Sequence, residues 1–539
     1  MKKNALFLLI DAMRHDVLSD PEARRFMVPN LSRLADEGFV RKVVTNAQST
    51  QFVMPAIFSQ TYPLDHGGYN TGIRLRPRSF VETLKDQGWA THKLVTSNQL
   101  GLHHGYERGF ETVKTGSDFR VILQHYIERS LDYEIGLWKK GERSDEETIE
   151  YFQREYGLLL EQIREAWNTF NKSFWPPRLR RINERVVSGL DRELVLVRQQ
   201  PILAVNKIAW ISGAMYWRFL GDLKINRFKR FFWHGVGFVQ HRTRRWIADR
   251  IFPPFFFFSH FPMVLPDVID EICRFIGSRD DERWFTYMHF MDVHDCRAFN
   301  RGLRVIARWR FLPKYWLGRL RGYTNRRFAY DTAIMTVDAA VGKMIRSLEK
   351  SGQLENTVII VTADHGSYYA ENPRKQKLIL ATRTHYEDIE VPLMMFGADR
   401  EPEGDGMIDS MGVTATLLDV LGTEPDPSFK GVSAFAGGRD AVISESCGHG
   451  NADLKRRDIH FTVSTRTHRM MVKLTGSKFT TEELYDITTD PRELKNVVSV
   501  AQNIGVIAEL YDCLFAERAE LIALRGVASP PAPSETITP

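Results

Sequence analysis

At 539 residues, 43% apolar and 26% charged, the chain is long enough for a substantial core, more than one compact unit is expected, and wholesale disorder is excluded. The formal net charge of +6 gives no ground for a nucleic-acid partner, although nine basic against two acidic residues between Trp217 and Arg250 form a local excess able to attract an anionic surface. Four cysteines, Cys273, Cys296, Cys447 and Cys513, are too few for a disulfide framework, and in MKKNALFLLIDAM the aspartate follows the apolar run with no cleavage site, so the start reads as a buried strand and the cytoplasm as the compartment.

Residues 5–10 are a continuous apolar run of strand length, as a strand covered on both faces requires, and Asp11 sits where it ends, the edge at which such sheets present ligands. LSRLADEG follows as a helix with Asn30 as N-cap and Gly38 as terminator. TNAQSTQFVMPAIFSQTYP sets two adjacent hydroxyls, Ser49 and Thr50, before an apolar run, which suits either an ordinary helix start or the seat of a nucleophile. RPRSFVETLKDQG then reads as a helix, and GWATHKLVTSN as a turn, a strand and a strand-end loop.

Residues 161–266 break this pattern. AWISGAMYWRFLGDLKINRFKRFFWHGVGFVQHRTRRW and FPPFFFFSHFPMVLP mix aromatics with arginine, and neither holds the 18 or more uncharged apolar residues of a spanning helix. The expectation is a helical insert that either lies on a membrane, meets another subunit or packs on itself. Regular order returns with RWFTYMHFMDVHD, a strand running into Asp292, His294 and Asp295, then an amphipathic helix and a strand over Thr357–Thr362 that ends in Asp364, His365 and Gly366. Strand, helix and strand with polar strand ends predict a doubly wound α/β core. On this reading 1–160 and 267–435 are halves of one domain, 161–266 is the insert, 436–525 is a smaller C-terminal α+β region, and the proline-rich 526–539 is a flexible tail.

Asp11, Asp364 and His365 each close a predicted strand, so one sheet can gather them. Two carboxylates and an imidazole suit manganese or zinc and admit magnesium or calcium, while a turn closed by a capping aspartate is the plainer alternative. A neutral alcohol is a poor nucleophile, but a cation held by these groups would activate the Thr50 hydroxyl toward phosphorus or sulfur. Arg14, just beyond Asp11, carries a fork suited to a ligating carboxylate or an anionic ester. Asn70, His294 and His385 are candidates for holding ester oxygens or protonating a leaving group, or else a turn residue, a satisfied loop histidine and a surface histidine. Glu445, Cys447 and His449 have ligand-like spacing, but one cysteine and one histidine fall short of a closed zinc site.

In order, LLIDAMRHDVLS, VPNLSRLADEGF, DVHD, VDAAVGKMIRSLEKSGQLENTVIIVTADHG, HYEDIEVPLMMFG, IDSMGVTATLLDVLG and EELYDITTDPRELKN resemble the sulfatase family of the alkaline-phosphatase-like superfamily, leaving only the insert uncovered. The resemblance implies a mixed central sheet flanked by helices. Members acting on sulfate esters generally carry a modified cysteine, or a serine, in Cys/Ser-x-Pro-x-Arg, whereas relatives acting on phosphate esters usually carry threonine. Matching Pro55 to that proline puts Val53 in the nucleophile position. Matching SQTYPLDHGG to the family's downstream element puts Thr50 there without a gap, with Phe52 replacing the proline, and sets Asn70 where members often have a substrate-side asparagine; this register is preferred. The lack of a nearby cysteine argues against a formylglycine enzyme.

With Ala12 after Asp11, and His365 where a classical sulfatase often has asparagine, Asp11, Thr50, Asp364 and His365 look like the single-metal set of phosphonate monoester hydrolases and phosphoethanolamine-transferase-like enzymes. A second metal using Asp292, His294 or His385 stays open by similarity to two-metal phosphodiesterases. The resemblance thus implies a metal-dependent hydrolase of phosphodiesters, phosphonate monoesters or sulfuric esters, with Thr50 as nucleophile, His294 and His385 along the ester, and Arg14 and Asn70 supporting charge. The alternatives are a phospho-group transferase with a glycan or lipid-linked acceptor, and a catalytically silent binding protein. Expected partners are an anionic ester, a membrane or glycolipid surface reached through 161–266, and a second copy of the chain; a lipid contact would set the protein at the inner membrane face.

Overall fold

The computed structural model describes residues 4–96, 101–250, 263–279, 283–294, 296, 312–313, 316–318, 320, 324–368, 382 and 384–537. Asp295 and all of the FPPFFFF run lie outside the described residues. The central sheet has eight strands: β1 (Asn4–Ile10), β2 (Phe39–Val44), β3 (Ala90–Val95), β4 (Thr112–Thr115), β5 (Trp284–Phe290), β6 (Thr357–Thr362), β7 (Glu390–Phe396) and β8 (Ile408–Asp409), in the order β4-β3-β5-β1-β6-β7-β2-β8. Every residue of NALFLLI, WFTYMHF and TVIIVT is buried, so these strands have no solvent face and take the middle of the sheet. There β1 runs parallel to both β5 and β6. Strand β7 is antiparallel to β6, and β2 is antiparallel to β7. The C-terminal ends of β1, β2, β5 and β6 and the N-terminal end of β7 therefore share one edge, and the sequence after each enters the same space.

A second, antiparallel sheet follows: β9 (Val442–Ser446), β10 (Ile459–Ser464), β11 (His468–Thr475) and β12 (Lys478–Asp486), ordered β12-β11-β10-β9, with the helix Ile504–Ala523 beyond it. The two sheets are tied by Arg469 of β11, which is fully buried, pairs with the buried Glu493 and reaches Glu390 at the start of β7 at 2.8 Å. Between β4 and β5 the described chain is helical, from Phe119–Tyr126 to Arg227–Arg250 and Leu265–Gly277. Among the described residues no helix is long and apolar enough to cross a membrane.

Two local expectations are corrected. Asn30 is not the N-cap: the helix is Pro29–Asp36, capped at Val28, because proline takes the first helical position and the Asn30 amide instead donates to Asp338 at 2.7 Å. The tail is not free along its length, since Pro533–Thr536 is helical, Thr536 is buried with its hydroxyl 2.8 Å from that of Thr481, and Ile537 bridges to Thr481 in β12.

Candidate metal centre and nucleophile

Strand register fixes three of the site's side chains. Leu9 of β1 lies opposite both His289 of β5 and Thr362 of β6, so Asp11 and Asp364, each two residues on, face the same side as His289. His289 Nε2 lies 3.3 Å from Asp11 Oδ2. Ala12 turns with φ 63°, a left-handed conformation costly for a residue with a Cβ, and its N–H donates to Asp364 Oδ1 at 3.2 Å. Gly366 follows His365 where a Cβ would lie 2.1 Å from the Glu387 carbonyl oxygen, so only glycine fits there. Its carbonyl accepts from His365 Nδ1 at 2.6 Å, leaving Nε2 to face the carboxylates.

The hydroxyl comes from the opposite side of the sheet's order. After β2 the chain crosses to the helix Thr50–Ser59, whose first residue presents its side chain to this cluster. Thr50 Oγ1 is 3.2 Å from Asp11 Oδ2 and 3.3 Å from His365 Nε2. Val53, one turn on, is fully buried in the core. Thr50 rather than Val53 meets the ionisable groups, and it does so at a helix N-terminus, where unpaired N–H groups favour negative charge.

Burial alone would raise the Asp11 carboxyl, but the imidazoles of His294, His289 and His365 outweigh it and hold the group far below the usual carboxylate range. Burial lowers His365, and the carboxylates of Asp364 and Asp11 more than reverse this, so its imidazole is raised. Asp11 Oδ1 and Asp364 Oδ2 are buried without a hydrogen-bond partner among the described residues, and each lies 3.6 Å from His365 Nε2. Orphaned, fully buried carboxylate oxygens are costly unless a cation satisfies them. One ligand atom from each of Asp11, His289 and Asp364, or from each of Asp11, His294 and His365, fall within 4.8 Å of one another. An oxygen-rich set completed by imidazole fits a divalent cation.

The other predicted residues divide. His294 joins the second of these clusters, its ring centroid 6.2 Å from that of His365. His385 sits at the same sheet edge, but its Nδ1 lies 2.8 Å from Glu493 and its Nε2 3.7 Å from Glu483, and it belongs to neither cluster. Arg14 pairs with Asp16 at 2.6 Å, and the Asp292 carboxylate accepts from Leu265 N at 3.1 Å. Asn70 clamps the loop after β9, donating to Gly450 O at 3.2 Å and accepting from Ala452 N at 2.9 Å. Glu445 is taken by Arg518 at 2.7 Å and by Leu64 N at 2.8 Å, which leaves Cys447 and His449 without it.

Two further residues reach the site. His289 lies inside an otherwise apolar strand, and its only sequence signal is an imidazole in a fully buried run that must find a partner. Arg129, on the helical stretch after β4, donates to Gln51 Oε1 at 3.3 Å; burial lowers it against the opposing charges of Glu128 and Asp11. The neighbouring Ser130 lines a cavity of about 800 Å³ together with Asn70, Arg74, Tyr151 and Asn451.

This edge-built site stands on a mixed eight-stranded sheet followed in the chain by a smaller antiparallel one, a fold shared with solved structures. The structure resembles a 2-O GAG sulfatase over 97% of this chain and 93% of that one, at 12% identity and TM-score 0.57, and the phosphonate monoester hydrolase of Agrobacterium radiobacter over 96% of each, at 15% identity and TM-score 0.53. In sequence, residues 260–423 match the family described as Sulfatase. The chain is 25% identical over 228 residues to the N-acetylglucosamine-6-O-sulfatase of Bacteroides thetaiotaomicron, which covers 38% of each protein; it matches well under half the length of that curated relative.

Proposed function

We propose that this protein is a metal-dependent hydrolase of phosphate or sulfate esters, working through a covalent intermediate on Thr50, with Asp11, Asp364 and His365, assisted by His289, holding a single manganese or zinc ion together with the Thr50 oxygen. The observation that carries the reading is the Thr50 hydroxyl 3.2 Å from Asp11 and 3.3 Å from His365, beside two orphaned carboxylate oxygens. A divalent cation bound there would supply Lewis-acid polarisation of the ester and lower the pKa of the hydroxyl.

The chain's own groups do the rest. Thr50 Oγ1, its proton released to solvent beforehand, attacks the phosphorus or sulfur in line, its bond to that atom forming as the ester bond breaks, and the helix N-terminus favours the charge gathering on the remaining oxygens. Arg129, held by Gln51, adds a fixed positive charge next to the nucleophile. His294, exposed at the mouth, gives a proton to the departing oxygen and then takes one from the water that frees Thr50. His385, Arg14 and Asn70 support the walls of the site through the partners described above. A threonine with no cysteine nearby favours phosphate or phosphonate esters within this range.

The test is a panel of nitrophenyl phosphodiesters, phosphonate monoesters and sulfates assayed with Mn2+ or Zn2+, with mass spectrometry of the quenched protein. Thr50→Ala is expected to lose about four orders of magnitude in kcat while folding normally, and the wild type to carry a phospho or sulfo adduct on the peptide containing Thr50. An adduct elsewhere, or full activity in the alanine variant, refutes the reading. Turnover that appears only with an added glycan or lipid hydroxyl would make the protein a transferase, and metal binding without turnover a silent relative.

A further inference from the structure

The helix Arg227–Arg250 touches the rest of the molecule along one side. Trp233 packs under Arg218, whose guanidinium carbon lies 3.7 Å from its ring centroid, and Gly237 leaves room for Met215, whose methyl would be 2.7 Å from a Cβ there. On the other side stand Phe228, Phe231, Phe232, Phe238 and Val239, all between 51% and 78% exposed. At about 100° per residue these five, with Gly235 and Arg242, fall within an arc of about 120° diametrically opposite Trp233 and Gly237. Four exposed phenylalanines in one stripe are not the scattered apolar residues of an ordinary surface.

The charge around the stripe is one-sided. The helix carries seven basic residues against one acid. Arg242 lies in the stripe with its guanidinium carbon 5.4 Å from the Phe238 ring centroid, and Arg227 and Lys224 are exposed at its start. The nearest acid before the helix, Asp222, is paired with Lys229 at 2.6 Å. Contact between two copies through this stripe would set its basic residues against themselves, whereas phospholipid headgroups complement them.

We propose that this face is a docking surface for an anionic phospholipid bilayer. The helix lies in the plane of the interface, its phenylalanines entering the boundary between headgroups and acyl chains while Arg227, Arg242 and Lys224 meet lipid phosphates. It does not cross, being too charged and interrupted to span.

The experiment uses the full chain and sedimentation with vesicles of phosphatidylcholine, alone or with about one third phosphatidylglycerol. Binding to the mixed vesicles is expected, at least about tenfold stronger than to phosphatidylcholine alone. The triple variant F228S/F231S/F238S should lose binding to both, and R227E/R242E should lose the preference for the anionic lipid, each with an unchanged melting temperature. Absence of binding, equal binding to the two membranes, or variants that bind like the wild type would overturn the proposal. So would sedimentation velocity revealing a dimer that the phenylalanine variant dissociates, with no vesicle bound, which would assign the face to a second copy.

Discussion

Replacing Asp364 by asparagine separates the charge of the site from its shape. The side chain is fully buried, its Oδ1 accepts the Ala12 N–H at 3.2 Å, and its Oδ2 faces His365 Nε2 at 3.6 Å with no hydrogen-bond partner of its own among the described residues. Asparagine keeps an acceptor for Ala12 and removes one negative charge. At about 4 Å and an effective dielectric near 20, a carboxylate attracts each unit of cation charge by about 4 kcal/mol. If only a third of the roughly 8 kcal/mol gross attraction for a dication survives desolvation and the lost repulsion from Asp11, the variant binds about 100-fold more weakly.

The assay is thermal unfolding with Mn2+ titrated into metal-stripped protein, which needs no substrate. Wild type held at about a thousand times its dissociation constant gains about 4 kcal/mol. In a chain this long that corresponds to a rise of at most about 8 °C. Asp364→Asn is expected to need about two orders of magnitude more Mn2+ for the same rise. A midpoint within threefold of wild type, or a wild type whose melting ignores manganese, zinc, magnesium and calcium alike, refutes the argument that the orphaned oxygens await a cation.

Further outcomes follow from single contacts. Arg129→Gln should lower kcat/KM toward an anionic ester by about 100-fold, the worth of one charge-assisted contact, while Mn2+ binds no more weakly, because the lost charge had opposed a cation near Asp11; steady-state kinetics beside the same titration decides, and an unchanged kcat/KM would remove Arg129 from the site. His289→Ala should weaken Mn2+ binding about 10- to 100-fold, and calorimetry showing no change would make its contact with Asp11 incidental. Asp338, under Asn30 and Leu31, is lifted by burial to about 6. The folded chain keeps that proton to higher pH than the unfolded chain, whose group titrates near 3.8, so the contribution to stability falls as pH rises from about 4 to about 6, by about 3 kcal/mol, and is level above. Asp338→Asn should therefore raise the melting temperature more at pH 8 than at pH 5, and an equal effect at both would refute the shift.

What could be read from sequence was whatever an apolar run announces by ending. Asp11 and Asp364 follow buried strands directly, so their place at a common edge needed only the expectation of a parallel sheet. Thr50 could be placed because the downstream spacing fixed one register, and Val53 lies inside the helix core as that register requires. His289 stayed hidden because it interrupts a strand rather than ending one, and Arg129 because nothing local distinguishes it from other helix-surface arginines. The surroundings of Asn70 and His385 were illegible for a different reason: most of their partners belong to the loop after β9 and to the carboxylates of the C-terminal region, brought in by tertiary packing from far along the chain.

The buried salt link from Arg469 to Glu493 and Glu390 carries a lesson for dissection. Glu493 also grips His385 at 2.8 Å and receives the Tyr386 amide at 3.2 Å, so the segment leading into β7 is braced from the far end of the polypeptide. A fragment cut before β9 would bare Glu390 and strip His385 of its support. Amputation of the last hundred residues should thus behave as a lesion of the reactive edge itself, and any attempt to minimise this protein has to keep both sheets.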